Sequence, residues 1–334
     1  MGETTEASMG RFASALAVIA ALLPLCALGQ AADYPNRPVK ILVPYAPGGV
    51  TDIIARHLAP KLQDALGQPF VVENRPGATG NLALEAVAKA APDGFTLLVG
   101  NVSTNAINEN TFAHTLQIKP SRDLVGITKL VETPHLVVAN AAFPPNTIAE
   151  LIDWAKRNPG KLNYASAGIG SYPHLDMLKF AKASGIEATH IPYKGGAGQM
   201  VPALVSGEVQ MAFMNLASTV ELIKAGRLKA IAASTPARHP QIPNAATMAE
   251  QGFPGIGTNA WQGLFAPAAT PKAIVDKLHV TVAAILSRPE MREMLANQLM
   301  IVAVSGSSRE FTEQVRAETQ SWGEFVRDNQ IKID

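Results

Sequence analysis

The chain has 334 residues, 47% hydrophobic and 16% charged, which suits one or two core-forming domains and excludes a disordered chain. A formal net charge of +1 leaves no basic field for nucleic acid, so any anion must be held by local groups. One cysteine, Cys26, excludes a disulfide framework and a cysteine metal site.

Residues 1–32 have the layout of a cleaved export signal. Arg11 supplies the positive region, Phe12 to Leu28 is apolar apart from Ser14 and Pro24, and small residues follow. Gly29-Gln30-Ala31 and Ala27-Leu28-Gly29 both fit as cleavage triplets, and Met9 serves as well as Met1 for a start. Cys26 leaves with the signal. The rest of the chain contains no apolar run long enough to span a bilayer, so a soluble extracytoplasmic protein is expected.

Downstream, strand and helix patterns alternate. Val39–Val43 reads as a strand, Pro44–Gly49 as a turn, and Ile53, Ile54, Leu58, Leu62 and Leu66 as the apolar face of a helix capped by Thr51 or Asp52. A strand at Phe70–Val72, a Gly/Pro loop at Asn74–Gly80, a helix from Asn81 to about Ala90 and a strand at Thr96–Val99 follow. Pro134–Pro145 looks like a junction around the strand Leu136–Val138. Beyond it come a helix capped at Thr147, strands at 162–165, 188–191, 209–213 and 228–233, and helices between them. After a loop-rich stretch from Pro240 to Gly257 come a strand at Gly263–Ala266, a helix opened by Thr270-Pro271, a helix near Pro289–Asn297, a short strand at Met300–Val304 and a last helix from Ser308. The alternation predicts α/β units with parallel or mixed sheets, joined as two hinged lobes.

Three loops share one plan of strand, glycine-rich turn and helix start: Ala46–Asp52, Ser166–Ser171 and Tyr193–Gly198. Glycine lets backbone N–H groups approach a ligand, and a first helical turn carries unpaired N–H groups and partial positive charge. Together they form an anion site without a basic side chain. Ser166, Ser171 and Thr51 add hydroxyls at the rims. Tyr45 either stacks on a ligand or packs in the core, Asp52 reads first as a helix cap, His174 as a capping or rim residue, Lys194 as exposed and Trp261 as structural.

Enzyme motifs are missing. Gly168-Ile169-Gly170 begins a dinucleotide fingerprint, but Pro173 stands where its third glycine belongs. The chain has no GxxxxGK[ST], no GxSxG and no HExxH, and its seven histidines form no close pair in sequence. No cofactor and no catalytic residue are expected.

The series Tyr34-Pro35 with Pro38, Pro44-Tyr45-Ala46-Pro47-Gly48-Gly49 with Asp52 and Arg56, and Glu73-Asn74-Arg75-Pro76-Gly77-Ala78 with Gly80 resembles the tripartite tricarboxylate transporter substrate-binding proteins, the Bug family. The resemblance continues through Pro92–Leu98, Ser166–Ser171 with His174-Leu175, Pro192–Gly196, Trp261-Gln262-Gly263 and Ala266-Pro267. It implies a periplasmic, two-lobed, type II (Venus flytrap) α/β fold with a mixed sheet in each lobe. The implied division is residues 33–133 plus 256–334 for the first lobe and 134–255 for the second. It also implies a monomer that delivers a small organic carboxylate to a membrane transporter of two integral subunits. Ligand contacts carried over by motif are Gly48, Gly49 and Asp52 from the first lobe, with Tyr45, Thr51, Ser103 and Thr104 beside them. From the second come Ser166, Gly168, Gly170, Ser171, Tyr193, Gly195 and Gly196. Family members often carry an acid where this chain has Met214, beside Asn215. Methionine there implies a ligand without an ammonium group and with an apolar part. A sensor for a membrane signalling partner would use the same cleft, and a hydrolase on a similar scaffold would need the nucleophile motifs that are missing.

Overall fold

A computed structural model describes residues 34–258, 260–328 and 331; the segment read as an export signal, with Cys26, lies outside them. In chain order come β1 (Val39–Val43), α1 (Val50–Leu66), β2 (Phe70–Asn74), α2 (Asn81–Ala88) and β3 (Thr96–Asn101). A π-type turn at Ser103–Ile107 and two short helical turns lead into β4 (Leu124–Thr133) and β5 (His135–Asn140). Then follow α3 (Ile148–Arg157), β6 (Asn163–Ser166), α4 (Tyr172–Ser184), β7 (Thr189–Pro192), α5 (Ala197–Ser206), β8 (Met211–Asn215), α6 (Val220–Lys224) and β9 (Leu228–Ala233). The chain closes with β10 (Ala260–Pro267), α7 (Lys272–Ser287), α8 (Pro289–Asn297), β11 (Ile301–Val302) and α9 (Ser308–Asp328).

These strands form two mixed sheets of one plan. The first has the order β11-β4-β10-β3-β1-β2, the second β7-β6-β8-β5-β9. In each, three parallel strands (β2-β1-β3 and β7-β6-β8) meet an antiparallel strand that arrives from the other sheet, β10 in the first and β5 in the second. The chain therefore crosses between lobes at Pro134 and again between β9 and β10. Nothing in the hydrophobic spacing of residues 100–133 predicts an element, yet the ten-residue β4 lies there. Its burial follows no two-residue alternation, because helices pack on both of its faces, α7 (Lys272–Ser287) on one and α9 on the other. Gly126 within it makes room for Phe311, whose ring carbon would sit 2.6 Å from an added Cβ.

Local chemistry explains the element ends near the cleft. The helix after β1 is not capped by Thr51 or Asp52: Gly49 is its N-cap and makes no side-chain cap. Its apolar stripe Ile54, Leu58 and Leu62 is wholly buried under the first sheet, and it stops at Gly67 in the left-handed conformation. Helix α3 does start as expected, with the Thr147 hydroxyl accepting from the Glu150 N–H. Pro271 serves as the N-cap of α7 rather than as its first helical residue.

Helix α4 has two apolar faces. Tyr172 and Leu175 join a core of the first sheet with Leu84, Leu98, Trp261 and Phe311, whereas Met177 and Phe180 join the core of the second sheet. The Lys179 ammonium lies 4.3 Å from the Trp322 ring centre and 4.5 Å from that of Phe325 on α9. Trp261 is structural, its indole N–H donating to Glu318 at 2.7 Å.

Candidate functional site

The three glycine loops come together where the lobes touch. Hydrogen bonds cross the cleft from Ala46 N–H to Gly195 O (3.1 Å), from Tyr172 N–H to Ser103 Oγ (3.0 Å) and from Thr79 Oγ1 to Ile169 O (3.2 Å). Gly168 has φ +116°, and a Cβ there would stand 2.4 Å from Thr79 Oγ1. The lobes are closed on each other.

Between them is a cavity, with about 40 Å³ open to the centre of a water-sized sphere. Its wall takes Tyr45, Gly49, Val50 and Thr51 from the β1–α1 loop and helix start, and Asn101 from the end of β3. Opposite in sequence order come Ala167, Tyr172 and Pro173, then Gly196, Ala197 and Met200, then Phe213, Met214 and Asn215 at the end of β8. None of these lining side chains is charged. Two helix starts, α1 from one lobe and α5 from the other, border the same space. Their first-turn amides at Val50, Thr51 and Ala197 lack intrahelical carbonyls, so the wall carries donors and partial positive charge. The two starts are close: a Cβ on Gly49 would lie 3.5 Å from that of Ala197.

Side chains at this wall are fixed by their own bonds. Tyr45 packs in the core and also lines the cavity, with its hydroxyl 3.4 Å from Asn101 Oδ1. Burial pushes its pKa up to about 12 against bonds to Asn101 and Ser103, so it stays neutral. Its ring would be 3.0 Å from a Cβ on Gly196, which also sits at φ +65°; both facts require glycine there. Thr51 Oγ1 donates to Gln262 Oε1 at 2.7 Å. Asn101 Oδ1 accepts from Thr104 N–H at 3.2 Å. Asn215 Oδ1 accepts from Thr133 Oγ1 (2.7 Å) and from His135 Nε2 (2.5 Å). Burial holds His135 down at about 4, so it is a neutral donor. Both amide oxygens are thus occupied by the protein; Asn215 also bonds the Tyr172 side chain, so the Nδ2 group of Asn101 is the available donor of the two.

Of the residues expected at the site, Tyr45, Gly49, Thr51, Gly196, Met214 and Asn215 line the cavity. The others do not line it. Asp52 is buried and accepts from Gly48 N–H (3.0 Å), Arg56 Nε (2.9 Å) and Asn74 Nδ2 (2.8 Å). Burial would raise its pKa, but these partners outweigh that and hold it below the usual carboxylate range. It shapes the first loop. Ser103 and Thr104 are fully buried, Ser103 receiving the Tyr172 N–H and Thr104 bonding Asn101. The second loop is bonded to itself: Ser166 Oγ and Ser171 Oγ both donate to Gly168 O, and Gly170 N–H donates to His174 Nδ1 at 3.0 Å. Of the capping and rim roles expected for His174, this bond is a capping one. Gly195 N–H is taken by Gln199 Oε1, and Tyr193 turns outward to Glu208. Asn101, Tyr172, Pro173, Met200 and Phe213 were not expected. A signal for Asn101 exists: it ends the third parallel strand of its sheet as Asn215 ends the third parallel strand of the other.

Two histidines distant in sequence do pair. His174 and His190 stack at 4.1 Å between centroids, and His190 stacks on Tyr164 at 4.9 Å. Ser166 Oγ lies 2.6 Å from His190 Nε2. Burial, with the neighbouring His190, takes His174 down to about 3; burial takes His190 to about 4. Among the described residues no group of three or more His, Cys, Asp and Glu comes together. Below pH 6.5 the unfolded chain binds protons that His135, His174 and His190 refuse when folded, so their contribution is full above 6.5 and is lost as pH falls toward 4. Asp176 acts in the opposite sense: burial raises it to about 6 against its Thr258 bonds and Lys179, so it gains protons on folding between 3.8 and 6. Three groups against one predict a net loss. Urea midpoints should fall from pH 7 to pH 4.5, and His190→Phe should flatten the slope; a flat wild-type profile would contradict the neutral stack.

Residues 54–331 match the family described as "Tripartite tricarboxylate transporter family receptor". MatC (Rpa3494) from Rhodopseudomonas palustris, solved with bound malate, is 34% identical, with 88% of this chain and 100% of that chain covered and a TM-score of 0.83. R. palustris Rpa4515, solved with adipate, is 33% identical over 88% of this chain and 98% of its own, also at 0.83. The periplasmic binding protein BugD is 32% identical over 90% and 99%, again at 0.83.

Proposed function

The chain belongs to the tripartite tricarboxylate transporter receptor family, and from that premise we propose that it captures a small organic carboxylate in the periplasm and delivers it, without turnover, to a membrane transporter of two integral subunits. It acts as a monomer whose lobes, residues 33–133 plus 256–334 and residues 134–255, close over the ligand. The observation that carries this reading is the meeting of two helix starts, one from each lobe, at a cavity whose wall has no charged side chain. Such a wall suits an anion held by amides and repels nothing of negative charge. The malate and adipate bound to its structural neighbours are of the same chemical class.

The energies suffice. Hydrogen bonds to a charged group contribute about 1.5–3 kcal/mol each, so four give roughly 6–12 kcal/mol, against about 8 kcal/mol for micromolar affinity. A thermal-shift screen over organic acids tests the reading. A carboxylate should raise the melting temperature, since it binds only the folded state, and its uncharged amide should not. Equal response to both would overturn it.

A further inference from the structure

Resting on the carboxylate reading, the chemistry of the cavity wall narrows the ligand. We infer that the preferred ligand is a compact monocarboxylate with an apolar body, carrying at most one uncharged oxygen, and that a second carboxylate or an ammonium is selected against.

The wall is sorted by function. Anion-binding groups are confined to the two helix starts at Gly49–Thr51 and Gly196–Ala197. Much of the rest is apolar: Pro173, Met200 and Met214, the two methionines each 2% exposed. A second carboxylate leaving water would meet these carbon and sulfur surfaces with no guanidinium or ammonium to receive it. Removing an ion from water without a partner is costly.

The amide oxygens in that wall are already taken. Asn101 Oδ1 and Asn215 Oδ1 already accept from Thr104 and from Thr133 with His135. The Nδ2 group of Asn101 suits a ligand carbonyl or hydroxyl oxygen, whereas Asn215 is bonded to the Tyr172 side chain. An ammonium needs acceptors, and here it would face two occupied amide oxygens and no carboxylate. The nearest acid to the first helix start, Asp52, is committed to Gly48, Arg56 and Asn74. Size adds a limit. A buried water needs about 10–15 Å³ of such space, so 40 Å³ holds roughly three or four water-sized groups in the closed state.

Calorimetry on the full mature protein with butyrate, succinate and 4-aminobutyrate tests this, because the three share a four-carbon chain and differ only at the far end. Butyrate should bind at least tenfold tighter than either of the others. In Met214→Glu, shown folded by circular dichroism, 4-aminobutyrate should gain at least tenfold relative to butyrate. Succinate or 4-aminobutyrate binding as tightly as butyrate to the wild type would overturn the inference while leaving the carboxylate reading intact. If none of the three binds and no other carboxylate does, the carboxylate reading itself fails.

Discussion

Ala197→Asp should leave the protein folded and bind a carboxylate about a thousandfold more weakly than Ala197→Asn. Ala197 is the first residue of α5, and its Cβ stands 3.5 Å from where a Gly49 Cβ would be, so its side chain faces the opposite helix start across the cavity. An acid in a first helical turn is favoured by about 0.3–1 kcal/mol, so α5 has no reason to fray. The new carboxylate occupies the field that the ligand would use. Two like charges about 4 Å apart at an effective dielectric constant of about 20 repel by about 4 kcal/mol, close to a thousandfold in affinity. Asparagine has the same shape without the charge, so the pair separates electrostatics from bulk. Equal affinities in calorimetry would show that the ligand anion sits elsewhere.

Gly198→Ala should weaken binding by about 5- to 150-fold without lowering the stability of its lobe. An alanine Cβ there would lie 2.5 Å from the Pro47 carbonyl oxygen of the other lobe, which as a backbone atom has no rotamer to swing away. Within α5 the change is harmless, since alanine exceeds glycine in helix preference by about 1 kcal/mol. Overpacking of this kind costs about 1–3 kcal/mol, and here the cost falls on the closed state alone. Small-angle scattering with ligand should give a larger radius of gyration for the variant than for the wild type. Unchanged affinity and radius would mean that closure does not bring α5 against the first loop.

The first loop was legible because Gly48-Gly49 is followed at once by a helical apolar spacing, which places an open helix start after a buried strand. The third loop was legible for the same reason, although only its last part, Gly196 and Ala197, reaches the cavity. The second loop looked equivalent in sequence and is not. Its hydroxyls and amides bond one another and His174, and its helix start gives the Tyr172 N–H to Ser103. Composition cannot distinguish a loop satisfied by its own side chains from one left open. Asp52 shows a related limit: its position in the first turn was read as a cap, but Arg56 and Asn74 draw the carboxylate back under the loop. The pairing of His174 with His190 and the burial of β4 depend on contacts far apart in the chain, which local periodicity does not carry.

Amide shifts of the closed pocket test the central claim most directly. In a ¹⁵N-labelled sample titrated with a bound carboxylate, the N–H resonances of Val50, Thr51 and Ala197 should move downfield together, as N–H groups do on bonding to an anion, and should stay in place with the corresponding uncharged amide. Saturable binding that leaves all three unmoved would contradict an anion held between the two helix starts.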